Sequence, residues 1–173
     1  MRRRLFASGL LAATVAVAQP QPPDRVPLEE GSGGKPWEEQ KTRLPPYPKP
    51  ENWVPIYVSP ATTFEFFVDR ASVSVGQDGV VRYTLVARSS SGATNVGYEG
   101  IRCQTFERKL YAFGRFDGAW SQARDPRWVR ISRGQANRQH AALAEDFFCY
   151  QQGGPVRTSE EAVQALQRGN QIK

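Results

Sequence analysis

Eleven of the chain's thirteen prolines stand between Pro20 and Pro60, and only Pro126 and Pro155 lie beyond them. Proline fixes φ and has no backbone N–H, so that stretch is barred from helix and from central strand over most of its length. Regular structure is thereby confined to the residues that follow. The first part of the stretch, through "GSGGK", reads as a flexible, extended leader. The second part differs, because "LPPYPKPENWVPIYV" carries Tyr47, Trp53, Val54, Ile56 and Tyr57, with Trp37 just ahead of it. A free linker has no use for so many rings. The segment is expected to lie extended along a folded domain and dock them as a packing strap. The alternative is that "PPYP" serves as a polyproline ligand for an aromatic groove.

Ahead of the prolines the chain opens "MRRRLFASGLLAATVAVAQP". Arg2, Arg3 and Arg4 form a basic head, an apolar run follows, and Ala16-Val17-Ala18 is a small-x-small end. This is the pattern of a secretory signal peptide, with cleavage expected after Ala18. The run is too short and alanine-rich for a membrane anchor, and no later run approaches membrane length. The expected address is the periplasm. Without the three leader arginines the balance is 20 basic to 17 acidic residues, a net of +3 rather than +6. That modest charge, with the exported address, argues against a nucleic-acid partner.

Export also bears on the two cysteines, because thiols pair in an oxidising compartment. Two cysteines allow one connectivity, Cys103 to Cys149, with none left over. The rival reading, a Cys103–His140 nucleophile pair, needs a reduced thiolate and a nearby base. An even cysteine count in an exported chain favours the crosslink.

From Thr62 the pattern turns to strand. "TTFEFFVD" and "ASVSV" lead into "GQDG", a hairpin loop with glycines for positive φ. "VVRYTLVAR" returns with Val81, Tyr83, Leu85 and Ala87 on one face and Arg82, Thr84, Val86 and Arg88 on the other. "VGYEGIRCQTF" is a third strand whose Gly97 and Gly100 suggest a bulge or a close backbone approach. "RKLYAFGRF" is a fourth, and "RWVRI" a short peripheral one. The period then becomes helical: in "GQANRQHAALAEDFFCY", Ala136, His140, Leu143, Phe147 and Tyr150 share a face. Cys149 at its end would staple this helix to the strand of Cys103. "TSEEAVQALQRGN" forms a second helix, with Thr158 and Glu161 as a capping box and a thin apolar face of Ala162, Val163 and Leu166. The fold class predicted is α+β: an antiparallel β-meander sheet with one C-terminal helix packed on it and a second, peripheral helix. The expected organisation is a signal peptide over 1–18, the Pro-rich leader and strap over 19–60, a sheet-plus-helix domain over 61–157, and a peripheral helix and tail over 158–173.

Strong catalytic motifs are missing from the sequence: there is no G-x-S-x-G, Walker loop, H-E-x-x-H or C-x-x-C. His140 is the one histidine, which excludes a histidine-rich metal site, and no cofactor is expected. Asp78 and Asp117 precede glycines in turns, which accounts for them. Glu99 stands apart. It sits between Gly97 and Gly100, and a buried carboxylate there wants a cationic partner, with Arg82 or Arg102 available. Tyr98, Glu99, Arg102 and Trp120 form the candidate ligand face. "RDPRWVRISRGQANR" sets Arg124, Arg127, Arg130, Arg133 and Arg138 around Trp128, a pattern of solvated charge that could also meet an anionic surface.

The run "FFVDRASVSVGQDGVVRYTLVARSSSGATNVGYEGIRCQ", with "YAFGRFDGAW", "RW" and "FFCY" later, resembles the CNP-one-like family of uncharacterised exported proteobacterial proteins. The likeness covers about residues 37 to 150; "DGVVRY", "SGATNVGYEGIRC" and the second cysteine are its specific parts. It implies an envelope address and one domain containing both cysteines. It implies no activity and no catalytic residues, and the helix from Thr158 lies outside it. The function expected is a non-enzymatic periplasmic domain that binds an envelope protein or an anionic envelope component. The alternative is a hydrolase or lyase acting on an envelope polymer through Glu99 with Tyr98 or His140.

Overall fold

The computed structural model describes residues 36–134 and 138–169. The signal peptide over 1–18, the leader through Lys35, Ala136 of the helical face and the last four residues lie outside the described residues. Residues from Trp37 onward form one unit. Its framework is an antiparallel sheet in the order β1-β2-β3-β4-β5-β6. The strands are β1 (Trp53–Ile56), β2 (Phe64–Val75), β3 (Val80–Ser89), β4 (Thr94–Arg102), β5 (Glu107–Gly114) and β6 (Trp120–Gln122). A short β7 (Val129–Arg130) also pairs with β5, at that strand's other end from β6. Neighbours in sequence are neighbours in the sheet, so the meander and the α+β class hold.

The chain chemistry accounts for the strands. Among the described residues, β1 is the one strand inside the proline-rich stretch. It lies at the sheet edge, where exposed Pro55 disturbs no second partner. "TTFEFFVD" and "ASVSV" merge into a single twelve-residue β2, whose register shifts between Asp69 and Ser74. In the β2–β3 hairpin Gly79 has φ 75°, as its turn requires. Gly76 is there for a different reason than expected: a Cβ would stand 2.2 Å from an Asp78 carboxylate oxygen and 2.6 Å from the Arg82 guanidinium. "DGAW" turns only through Gly118 (φ 78°), and Trp120 already begins β6.

The alternation predicted for β3 separates two packed faces. Val81, Tyr83 and Leu85 join Val54, Val68, Ile101, Leu143, Phe148 and Leu166 in the main core. Thr84 and Val86, on the other face, are fully buried as well. What lies against that second face includes the segment from Trp37 to Tyr47. Trp37 donates from Nε1 to the Asp78 carbonyl (2.8 Å), and its ring lies 3.8 Å from the Arg102 guanidinium carbon. Glu39 accepts from Lys109 (2.6 Å), Tyr111 (2.9 Å) and Trp128 (3.2 Å). Pro45 accepts at its carbonyl from Trp120 (2.8 Å), and Tyr47 donates to the Arg115 carbonyl (3.0 Å). The segment pairs as no strand, so side chains make most of these bonds.

The main core is covered by helix. α1 (Arg138–Ala142) runs directly into a π-helical turn, Leu143–Phe148, closed by Cys149 N–H to the Ala144 carbonyl at 2.9 Å. The wider turn changes the buried set from the regular one predicted. His140, Leu143 and Phe147 are inside, Ala144 and Phe148 join them, and Tyr150 ends 43% exposed. The ring of Phe148 packs on Tyr83, centroids 5.2 Å apart. Cys149 then bonds Cys103, with a Cα–Cα distance of 5.5 Å, tying this helix to the end of β4. α2 (Ser159–Gly169) follows. Thr158 caps it by accepting from the Glu161 N–H (3.1 Å), while the Glu161 carboxylate accepts from the Arg157 N–H (2.8 Å) instead of closing back on Thr158. Of its thin face, Ala162 and Leu166 are fully buried. Among the described residues no helix is long and apolar enough to cross a membrane.

Candidate functional site

Glu99 is 7% exposed and points to the helix-covered face of β4. Its partner is neither Arg82 nor Arg102. The Glu99 Oε2 lies 2.7 Å from His140 Nε2 and accepts from the Tyr83 hydroxyl at 3.1 Å. Tyr83 is directly opposite Glu99 in the β3–β4 register, and α1 lowers His140 onto the pair. Burial alone would raise the Glu99 carboxyl, but the His140 ring, Arg108 and the Tyr83 hydroxyl hold it below the usual carboxylate range. Burial and the adjacent Glu99 charge push Tyr83 well above the ordinary phenol, so it stays a neutral donor. Among the described residues nothing bonds His140 Nδ1, and that atom is closed off from solvent.

Arg82 has a different partner. Its guanidinium grips the Asp78 carboxylate with two bonds, 2.6 and 3.2 Å, and donates to the Gln40 carbonyl at 3.1 Å. The side chains of Arg82 and Asp78 are 4% and 3% exposed. Asp78 is therefore more than a turn residue, because it neutralises a buried arginine and also accepts from the Gln40 N–H at 2.8 Å. Burial would raise its carboxyl, but those bonds hold it below the usual range.

The structure divides the candidate ligand face. Successive residues of a strand point to opposite sides. Tyr98 therefore faces away from Glu99, with its ring near Tyr111 and Trp120 and its hydroxyl 3.1 Å from Thr42 Oγ1. Arg102 and Trp120 belong to that side too, through Trp37 and Pro45. Glu99 alone faces the helices. Its pairing with Tyr98 is thus not a single site, whereas its pairing with His140 is a direct contact. Trp128 is held by Glu39 and by the edge of Trp37 (6.0 Å), and Arg127 and Arg133 pair with Asp125 and Glu145.

Beside Glu99 the helix face opens into a groove of about 690 Å³. Val58, Phe64, Leu85, Ala87, Leu110 and Phe113 form its apolar walls, and Arg138 and Gln139 stand where α1 begins. Phe64 and Phe113 are 38% and 50% exposed, unusual for large rings on a covered sheet face. Two glycines shape the surroundings. A Cβ on Gly97 would lie 3.1 Å from Glu99 Oε1 and 3.3 Å from Leu110, and one on Gly100 would lie 2.8 Å from the Tyr111 hydroxyl. The expected irregularity is present as well: Glu99 faces Leu110 and Tyr98 faces Ala112, leaving Tyr111 as the extra residue of β5. The sequence marked the acid and the glycines but not the groove. Among the described residues no group of three or more His, Cys, Asp or Glu side chains could hold a metal ion.

Comparison with known proteins agrees with this outline. Cryptic neisserial protein 1 of Neisseria gonorrhoeae is 26% identical over 152 residues, covering 79% of this chain and 74% of the relative. No solved structure matches. The profile of the CNP1-like family, the family named in words above, matches residues 32–167. The match takes in most of α2, which the resemblance had left outside. On that coverage, the chain belongs to the CNP1-like family.

Proposed function

We propose that this protein is an exported, non-enzymatic domain of the cell envelope that binds an envelope component through an apolar body seated in the groove. The groove carries the reading. Its volume falls within the range of small-molecule sites, and it combines apolar walls with one buried polar group. Export rests on the leader sequence, and the Cys103–Cys149 bond suits an oxidising compartment. The first test is intact mass and thiol count on protein recovered from the periplasm. A chain beginning at Gln19, with no free thiol before reduction and two after, is the expected result. The second is titration with the neutral apolar dye 1-aminoanthracene. Dye fluorescence should rise on the wild type and fail to rise on Ala87→Trp, which fills the groove. Equal binding by the two would remove the groove from the reading.

The Glu99–His140 contact favours a second reading, a hydrolase or lyase acting on an envelope polymer. It predicts release of soluble fragments from purified envelope polymer by the wild type and none by Glu99→Gln. The reading ranks below binding because Tyr98 faces away from Glu99 and His140 Nδ1 is closed off, so neither group paired with Glu99 in that reading is free to act on a substrate in the groove.

A further inference from the structure

The chemistry of the groove's floor points to one kind of occupant, an inference that rests on the groove reading above. Glu99 Oε2 is already engaged by His140 and Tyr83. Among the described residues no hydrogen bond reaches Glu99 Oε1. That oxygen lies beside Gly97, and both Gly97 and Glu99 line the groove. Any larger residue at 97 would put a carbon about where a ligand atom must pass, since even a Cβ would come within 3.1 Å of the oxygen. The groove thus ends on an ionised carboxylate that is 7% exposed and has one oxygen open to a donor, with apolar walls above it. A buried carboxylate oxygen gains most from a charged N–H donor. It rejects an anion, because like charges in a poorly solvated site repel strongly.

We propose that the groove takes a single-chain amphiphile with a cationic ammonium head, the head donating to Glu99 Oε1 and the chain lying along Leu85, Leu110 and Phe113. Besides Arg108, whose charge already acts on Glu99, Arg138 is a countervailing group, for it stands at the groove's edge and would draw an anionic head. It is exposed, so water and salt screen it, whereas Glu99 is buried.

The test is displacement of 1-aminoanthracene from the full mature chain by decylamine, 1-decanol and decanoate, each below its micelle concentration at pH 7. Decylamine, protonated at that pH, should bind at least about tenfold tighter than decanoate, with decanol between them. Glu99→Gln should bring the three ligands within about threefold of one another. Should that variant fail to fold, Gly97→Ala serves instead. It sets a methyl between the groove and Oε1, and should weaken decylamine while leaving the dye and decanol in place. Decanoate binding as tightly as decylamine, or a decylamine preference that survives both variants, overturns the ammonium assignment while the groove reading stands. Failure of dye and all three ligands to bind the wild type overturns both.

Discussion

Consider removing the Cys103–Cys149 bond without touching anything else. The bridge joins residues 46 apart in sequence. Closing a loop of that length withdraws about 4 kcal/mol of conformational freedom from the unfolded chain at room temperature, on the loop-entropy account. A domain of this size is stable by roughly 5–15 kcal/mol, so the bond supplies a large share. The native side of the equilibrium should change little. Cys103 is 4% exposed within the main core, and the Tyr83–Phe148 packing that holds the helix on the sheet does not depend on the sulfurs. The assay is urea unfolding followed by tryptophan fluorescence, on oxidised protein and on reduced protein with both thiols kept free. The reduced form should lose about 4 kcal/mol and melt roughly 12–20 °C lower. Its dependence on urea should be steeper, because an uncrosslinked chain exposes more surface when unfolded. Replacing both cysteines by alanine should add about 1 kcal/mol for the buried volume lost. A reduced form within about 1 kcal/mol of the oxidised one refutes the argument. The unfolded chain would then already hold residues 103 and 149 close together.

Three further outcomes follow from the buried charges. Asp78→Ala leaves Arg82 buried without its carboxylate and frees the Gln40 N–H. It should cost about 3–5 kcal/mol in urea unfolding and shift the emission of Trp37, which bonds the Asp78 carbonyl; a cost below about 1 kcal/mol would mean that water reaches Arg82. Glu99 and Asp78 both have carboxyls depressed in the folded state, so their stabilisation is complete above the unfolded carboxylate range near pH 4 and is lost as pH falls through the lower folded values. The contribution of these two carboxyls to the urea midpoint should be constant from pH 7 to about 5 and decline below about 4, with a smaller decline in Asp78→Asn. Asp69 runs the other way. Burial raises its carboxyl against the bonds from Ala71 and Ser72, so the native state is penalised once pH rises through the folded value. Asp69→Asn should therefore be more stable than the wild type at pH 7 and show no advantage at pH 3; a loss at pH 7 would mean that the carboxylate's hydrogen bonds outweigh its burial.

Local rules decided much of the sheet in advance. The crowding of prolines fits the absence of regular structure over residues 36–49 and confined Pro55 to an edge strand. Alternation in β3 assigned Tyr83 and Leu85 to one face and Arg82 and Thr84 to the other, as found. The same alternation forbids Tyr98 and Glu99 from sharing a face. The candidate set combined them because they are adjacent in sequence, and a strand turns sequence neighbours away from each other. Two cysteines left one pairing, and the bond is there.

Partner choice was settled by tertiary structure, because it depends on where separate elements come to rest. Glu99 meets His140 because the Cys149 staple and the Phe148–Tyr83 contact bring α1 over β4, 41 residues away along the chain. Arg82 meets Asp78 because the hairpin folds the acid back over its own strand. The π turn has no period that a regular helical reading could detect, and it is what moves Phe148 inward and Tyr150 outward. The groove is encoded by no single residue. It is the space left between the start of α1, the β1–β2 connection and the sheet, and such a space exists only once all three are packed.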